Sequence, residues 1–363
     1  LRQIGEEQLD DLAVGAAILG TGGGGDPYVG KLLARHAIRS HGPVTVLEVD
    51  EVPDDVLVVP TAMMGAPTIM VEKLPRGDEV LHAFEKLAAH LGRDVVYTAP
   101  IEAGGVNSMI PLVTAARAGV PIVDADMMGR AFPELQMCLP TLYGVSASPM
   151  AIADDKGNVG ILETVDNGWA ERLARSLTID MGCSALIALY TVDGGQVKET
   201  MIPGTLRLAE ELGGLVRETR SDHGDVVQAV TDRLGGYVIF KGKIVDVARQ
   251  TSGGFARAET RVAGTGEYAG STAVLRSQNE FLVAERDGEV AASTPDLIIA
   301  LDTQTGEPVT TEAMRYGFRV TVLAAPGDPR WRTPPGLQLV GPRYFGYDID
   351  YQTIGRDVYH TSA

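Results

Sequence analysis

From Val44 to Val123 short β-branched runs alternate with stretches of helical spacing, and that alternation restricts the fold more than any other feature of the chain. Val44 to Val49, Val56 to Pro60, Val95 to Thr98 and Ile122–Val123 read as strands bounded by Pro, Asp or Gly. Asp78 to Leu91 and Ile110 to Ala118 place apolar residues on one helical face. Upstream, Gly5 to Leu19 and Val29 to Ile38 are helical patterns, the first with Glu6, Glu7, Asp10 and Asp11 where a helix start favours negative charge. The expectation is an N-terminal three-layer α/β domain over residues 1–165 with a largely parallel sheet.

Beyond Asp166 the pattern becomes α+β. Helices are expected over Asn167 to Asp180 and Gly204 to Leu212, with a strand at Ala185 to Val192. From Gly236 the texture is β: Tyr237 to Val247, with Lys241, Gly242 and Lys243 at its centre, reads as a hairpin. Further strands at Phe255 to Val262, Ala273 to Leu275, Phe281 to Ala284, Leu297 to Leu301 and Arg319 to Ala324 predict a small β-barrel over about residues 236–325. This C-terminal domain spans 166–363, and its aromatic, acidic tail from Gly341 to Asp350 is expected to pack back.

Forty-eight acids against 31 bases give a formal net charge of −17, which argues against nucleic acid or an anionic membrane as a partner and for a small molecule. No run approaches the ~18 apolar residues of a membrane span, and the start has no basic then apolar leader pattern, so a cytoplasmic location is expected. Cys138 and Cys183 have no paired spacing and read as small core residues.

Three stretches carry the candidate chemistry. The glycines Gly22 to Gly25 follow a helix rather than a strand, and Lys31 lies six residues beyond them, so a phosphate-binding loop is poorly supported. Two readings remain: a tight helix-to-helix turn, or backbone lining a ligand, with Asp26–Pro27 opening the next helix under either. Glu102 to Asn107 follows a strand. Asn107 there reads as a helix N-cap, whereas Glu102 has no such simple account and is a candidate base or metal ligand. Asp124 and Asp126 sit at the end of a buried-looking strand, at the sheet edge where ligands bind in open α/β folds. Period-2 alternation would place both on one face, needing a metal, an Arg or a shared proton between them, and Arg130 and Glu134 share the helical spacing that follows. Among the histidines, His36, His41, His82, His90 and His360 read as surface or partly buried. His223 lies between Asp222 and Asp225 and is the candidate for a metal or proton-transfer role. Gly144 to Ser148 lacks the closing glycine of a serine-nucleophile elbow.

Together, the stretches Leu19 to Gly30, Glu102 to Asn107 and Val123 to Glu134 resemble the S-methyl thiohydantoin desulfurase family, with a weaker, hydantoinase-like resemblance at Ile239 to Val247 and Ser252 to Arg257. The resemblance implies an N-terminal α/β domain, a C-terminal domain containing a β-barrel, and hydrolysis at C2 of a five-membered thiohydantoin that releases a thiol or sulfide. On that basis the expected catalytic residues are Asp124, Asp126, Arg130 and Glu102. Gly23, Gly24, Gly25, Asp26, Asn107 and Glu134 are expected to hold substrate, with glycine-loop amides as oxyanion donors. A divalent metal, zinc or similar, would be held by Asp124, Asp126 and His223. A homo-oligomer is expected. Two other classes stay open: a nucleotide-dependent, hydantoinase-like ring opener, and a non-catalytic ligand-binding subunit.

Overall fold

The computed structural model describes residues 2–65, 78–93 and 96–354, with only the backbone of Ser252. Val95, at one expected strand start, and His360 lie outside the described residues. The first half begins with β1 (Arg2–Ile4), α1 (Leu9–Leu19), α2 (Pro27–His41), β2 (Val44–Leu47), β3 (Thr61–Gly65), α3 (Asp78–His90), α4 (Ile110–Ala118) and β4 (Ile122–Val123). It continues through β5 (Met150–Ala153) and β6 (Val159–Leu162) into α5 (Asn167–Asp180), β7 (Ser184–Ala188), α6 (Thr205–Ser221) and α7 (Val226–Leu234).

The class is mixed α/β, but its sheets are mixed rather than largely parallel. β2 pairs β4 in parallel, as Leu57–Val58 does Val96–Tyr97, while the four-stranded sheet β3-β7-β5-β6 is antiparallel throughout. Two causes are visible. β5 and β6 form a hairpin closed by Asp154, whose carboxylate accepts the Lys156 and Asn158 amides, and a hairpin can only be antiparallel. β7 then enters from beyond residue 165 and runs between β3 and β5, so this sheet draws strands from both halves of the chain.

α1 and α6 pack backbone to backbone. A Cβ on Gly15 would stand 1.7 Å from the Ala209 carbonyl, and one on Gly213 would stand 1.8 Å from that of Asp11, so only glycine permits this approach. The contact fixes where α6 begins relative to β4, a point that matters for Asp124.

The second half ends in one seven-stranded antiparallel sheet curled into a half-barrel: β8 (Tyr237–Ser252), β9 (Phe255–Gly264), β10 (Thr272–Gln278), β11 (Glu280–Arg286), β12 (Glu289–Ser293), β13 (Leu297–Asp302) and β14 (Arg319–Ala325), in the order β12-β11-β10-β9-β8-β14-β13. The hairpin expected at Lys241 to Lys243 is not there. β8 runs straight through as a 16-residue strand, and Gly242 marks a close approach, since a Cβ on it would meet the Ala263 carbonyl at 2.3 Å. The reversal comes at Gly253 and Gly254, both with positive φ. β13 is buried on both faces: Leu297, Ile299 and Leu301 join the core of α1, α2, α4 and α6, while Ile298 and Ala300 fill the half-barrel. The back of the half-barrel is thereby packed on the helical layer. Among the described residues no helix is long and apolar enough to cross a membrane.

Candidate active site at the junction of the two halves

The glycine loop between α1 and α2 is the joint at which three segments meet. The Thr21 carbonyl accepts the Phe281 amide at 2.9 Å, and the Gly22 carbonyl accepts the amide (2.8 Å) and hydroxyl (3.0 Å) of Thr311, all from the half-barrel. On its other side the Gly24 carbonyl accepts the Val106 amide at 2.7 Å. A Cβ on Gly23 would lie 2.2 Å from Glu280 Oε1, and one on Gly24 2.6 Å from the Gly104 Cα. The run is therefore glycine because two surfaces close on it, and both readings of the sequence hold at once: it turns into α2, with Asp26 accepting the Tyr28 amide as N-cap, and it also lines a cavity. The amides of Gly24 and Gly25, which line that cavity, carry no hydrogen bond among the described residues.

The cavity has a volume of about 70 Å³ and is walled by Met63, Met64, Glu102, Asn107, Glu134, Arg175, Asn279 and Glu280 besides the two glycines. Glu102 is held from two directions: Asn107 Nδ2 donates to its Oε1 at 2.7 Å and the Phe132 amide to its Oε2 at 3.3 Å. Asn107 does not cap the helix that follows. Its side chain is clamped on β3, accepting the Met63 amide at 2.8 Å and donating to the Met63 carbonyl at 3.3 Å, and α4 starts three residues later behind Met109. Burial pushes the Glu102 carboxyl up to about 7, against the pull of those two donors and of the Arg130 charge. Glu280, entering from the half-barrel, is pushed further. Burial raises it well above the carboxylate range, the nearby charge of Glu102 adds to this, and its Oε2 has no hydrogen-bond partner among the described residues. Burial thus biases both carboxyls toward their protonated forms, with Glu102 at about 7.

The other predicted site residues are placed differently. Asp124 and Asp126 do not share a face, because the strand breaks between them: Ile122–Val123 pairs β2, whereas Ala125–Asp126 pairs Ile202–Pro203. Asp124 accepts the Leu206 amide at 2.8 Å in the first turn of α6 and Arg2 Nη1 at 2.7 Å. Burial raises it, and Arg2 and the α6 amides oppose that. Asp126 accepts the Gly129 and Met128 amides at 2.8 and 3.1 Å. Burial takes it to about 7, with a further rise from the field of Glu102, and it does not line the cavity. Arg130 is fully buried and spends its guanidinium on carbonyls, at 3.1 Å to Ala131, 2.5 Å to Asp296 and 2.9 Å to Phe281, with the Phe132 ring 4.9 Å away. It ties the first half to the half-barrel, and burial lowers it to about 10, so it stays charged. Glu134 lines the cavity and accepts the Tyr344 hydroxyl at 2.8 Å, which docks the tail against the rim. His223, in the left-handed region at φ 57°, lines a separate cleft with Asp225, Lys241 and Thr303.

Among the described residues no three His, Cys, Asp or Glu side chains are grouped to hold a metal ion. The expected ligands Asp124, Asp126 and His223 face separate surroundings, so that donor set does not fit a metal and no step is routed through one. Sequence reasoning missed Glu280, Asn279 and Arg175. A signal existed for the first two: three polar residues, Gln278 to Glu280, run directly into the apolar Phe281 to Ala284, and Asn279 adopts a positive φ of 59°.

The S-Me-THD-like N-terminal domain matches residues 7–164 and the S-Me-THD-like C-terminal domain residues 165–354. A crystal structure of a protein from Chromobacterium violaceum aligns with a TM-score of 0.80 at 22% identity, covering 97% of this chain and 99% of that one, which shows a common fold. No curated protein matches the chain. With domain matches running almost end to end over the motifs that carried the resemblance, the chain belongs to the S-Me-THD-like family, that of the S-methyl thiohydantoin desulfurases.

Proposed function

We propose that the protein is a hydrolase that desulfurises a five-membered thiohydantoin by attack of water at ring C2. The observation that carries this is the pair Glu102 and Glu280 in one cavity, the first poised at about 7 and the second raised well above the carboxylate range by burial and by its neighbour's charge. Two carboxyls whose surroundings separate their proton affinities are suited to act as base and acid. Glu102 takes one proton from the attacking water as its oxygen bonds to C2. The Gly24 and Gly25 amides are the available donors for the negative charge that develops. The C2–S bond then breaks as the C2=O bond forms, and Glu280 gives its proton to the departing sulfur. The second water proton ends on the ring nitrogen, and transfer of a proton from Glu102 to Glu280 resets the pair. Water and an S-methyl thiohydantoin thus give a hydantoin and methanethiol.

The cavity supports a small flat ring over a nucleotide. Its volume of about 70 Å³ is well below the roughly 300 Å³ at which larger ligand pockets begin, and no lysine stands at the glycine loop. The test is thiol release from an S-methyl thiohydantoin by the purified protein, with and without ATP, in wild type and Glu102→Gln. ATP-independent release that the variant loses supports the proposal. Release only with ATP would favour the ring opener, and binding without release the non-catalytic subunit.

A further inference from the structure

The half-barrel carries a second cleft, of about 410 Å³, between the outer surface of β8, β9 and β10 and the tail residues Phe345 and Tyr347. Its floor is ordered by register. Gln250 is the direct cross-strand partner of Arg257, and Arg257 of Gln278, so the three side chains stand in one row on one face. In the next row of that face Glu259 pairs with Arg276.

The charges in the two rows are unequally spent. Glu259 is engaged by Arg261 and Arg276, and Arg276 is shared with Glu285. Arg249, at the edge of the cleft, donates to the carbonyls of Thr311, Glu312 and Met314. Arg257 makes no hydrogen bond or ion pair among the described residues, and the acid nearest to it in the register is already taken. Gln278 is 5% exposed as a whole, and its side-chain amide, which has no partner among the described residues, opens to the cleft. The Tyr347 hydroxyl in the opposite wall has none either. Free donors of Gln278, Tyr347 and the exposed Arg257 thus converge on one cleft of a chain whose net charge is −17, where an acceptor brought from outside would meet an uncompensated positive charge.

We propose that this cleft binds a small oxyanion-bearing molecule, a carboxylate or a phosphate, with Arg257 as its fork, Gln278 and Tyr347 as flanking donors and the Phe345 and Tyr347 rings as the wall for its carbon part. Gln278 and Glu280 are separated by Asn279 alone: Gln278 lines this cleft, while Asn279 and Glu280 line the cavity. Asn279 is held by the Ala256 carbonyl and amide, and its own carbonyl by Thr311, so a ligand on Gln278 acts on a short, rigid link to the candidate acid. The site does not depend on the desulfurase reading, since it is defined by binding.

The experiment is calorimetric titration of the full-length protein with glutarate and, separately, inorganic phosphate. The variants are Arg257→Ala, Arg257→Lys, Gln278→Leu and, as a control that removes a positive charge elsewhere, Arg217→Ala on α6. Saturable binding of at least one probe is expected, weakened roughly tenfold or more by Arg257→Ala, less by Arg257→Lys, and unchanged by Arg217→Ala. A preference for glutarate would identify the group as a carboxylate, and a preference for phosphate as a phosphoryl group. Gln278→Leu separates a built site from a lone surface charge, because it leaves the net charge intact and should still weaken binding. No saturable binding of either probe, equal loss in Arg217→Ala, or wild-type affinity in Arg257→Ala would each overturn the proposal.

Discussion

Two of the regions that bury carboxylates treat them in opposite ways. Around Asp124 every demand is met: one oxygen takes an amide of α6, the other takes Arg2, and Arg2 in turn reaches Glu210. Around Glu102 and Glu280 the demands are left open, with an unpartnered oxygen on Glu280, two free amides on the glycine loop and a void between them. The first arrangement stabilises the native state; the second is tolerated at a cost. The comparison teaches that unsatisfied burial alone does not single out the proposed site, since Asp126 outside the cavity also keeps an unpartnered Oδ1; what distinguishes Glu102 and Glu280 is that they share a void.

The largest effect that would break this contrast is on turnover. Glu102→Gln should lower thiol release by a factor of roughly a hundred or more, as expected for loss of a general base, measured as kcat/KM on an S-methyl thiohydantoin. Asp124→Ala should do the reverse, reducing stability by about 3 kcal/mol in urea unfolding through loss of the α6 and Arg2 contacts while the folded fraction keeps kcat within roughly twofold. An inactive but stable Asp124→Ala would merge the two regions again.

A pH dependence sharpens the same line. Because Glu102 must be ionised to accept a proton, kcat/KM should rise with pH to a half-maximal value at about 7. Stability should move the other way. A carboxyl raised from 4.5 to about 7 on folding contributes stability that is complete below pH 4.5 and is lost as pH climbs through 7, on the order of 3 kcal/mol at most. Glu102→Gln should therefore lose less melting temperature than wild type between pH 5 and pH 8. The smallest effect belongs to Tyr344→Phe: loss of its hydrogen bond to Glu134 should cost about 1 kcal/mol or less in thermal unfolding and change KM more than kcat, because Tyr344 touches only the rim.

Much of the layout was legible because it rests on periodicity. α1, α2, α3, α4 and α5 fall where apolar spacing places them, and the strands of the half-barrel follow β-branched runs. β5 escaped notice because Met150 to Ala153 has only one β-branched residue. Gly242 was mistaken for a turn because a glycine that clears a neighbouring carbonyl and one that reverses the chain look alike in sequence. In the site, Glu102, Asn107, Glu134, Gly24 and Gly25 gather at one cavity, whereas Gly23 and Asp26, also expected to hold substrate, do not line it: Gly23 packs against Glu280 and Asp26 caps α2. Glu280 was missed, since its partner in the cavity lies 178 positions away along the chain, and no local pattern records such a meeting. The alternation that joined Asp124 to Asp126 failed because it assumes an unbroken strand.

The loop from Thr21 to Gly24 gives its carbonyls to partners contributed by the final third of the chain as well as by its own half. Under the roles proposed above, a polypeptide emerging from the ribosome would display Glu102 long before Glu280, and the pair would be complete only once the half-barrel has been made and docked.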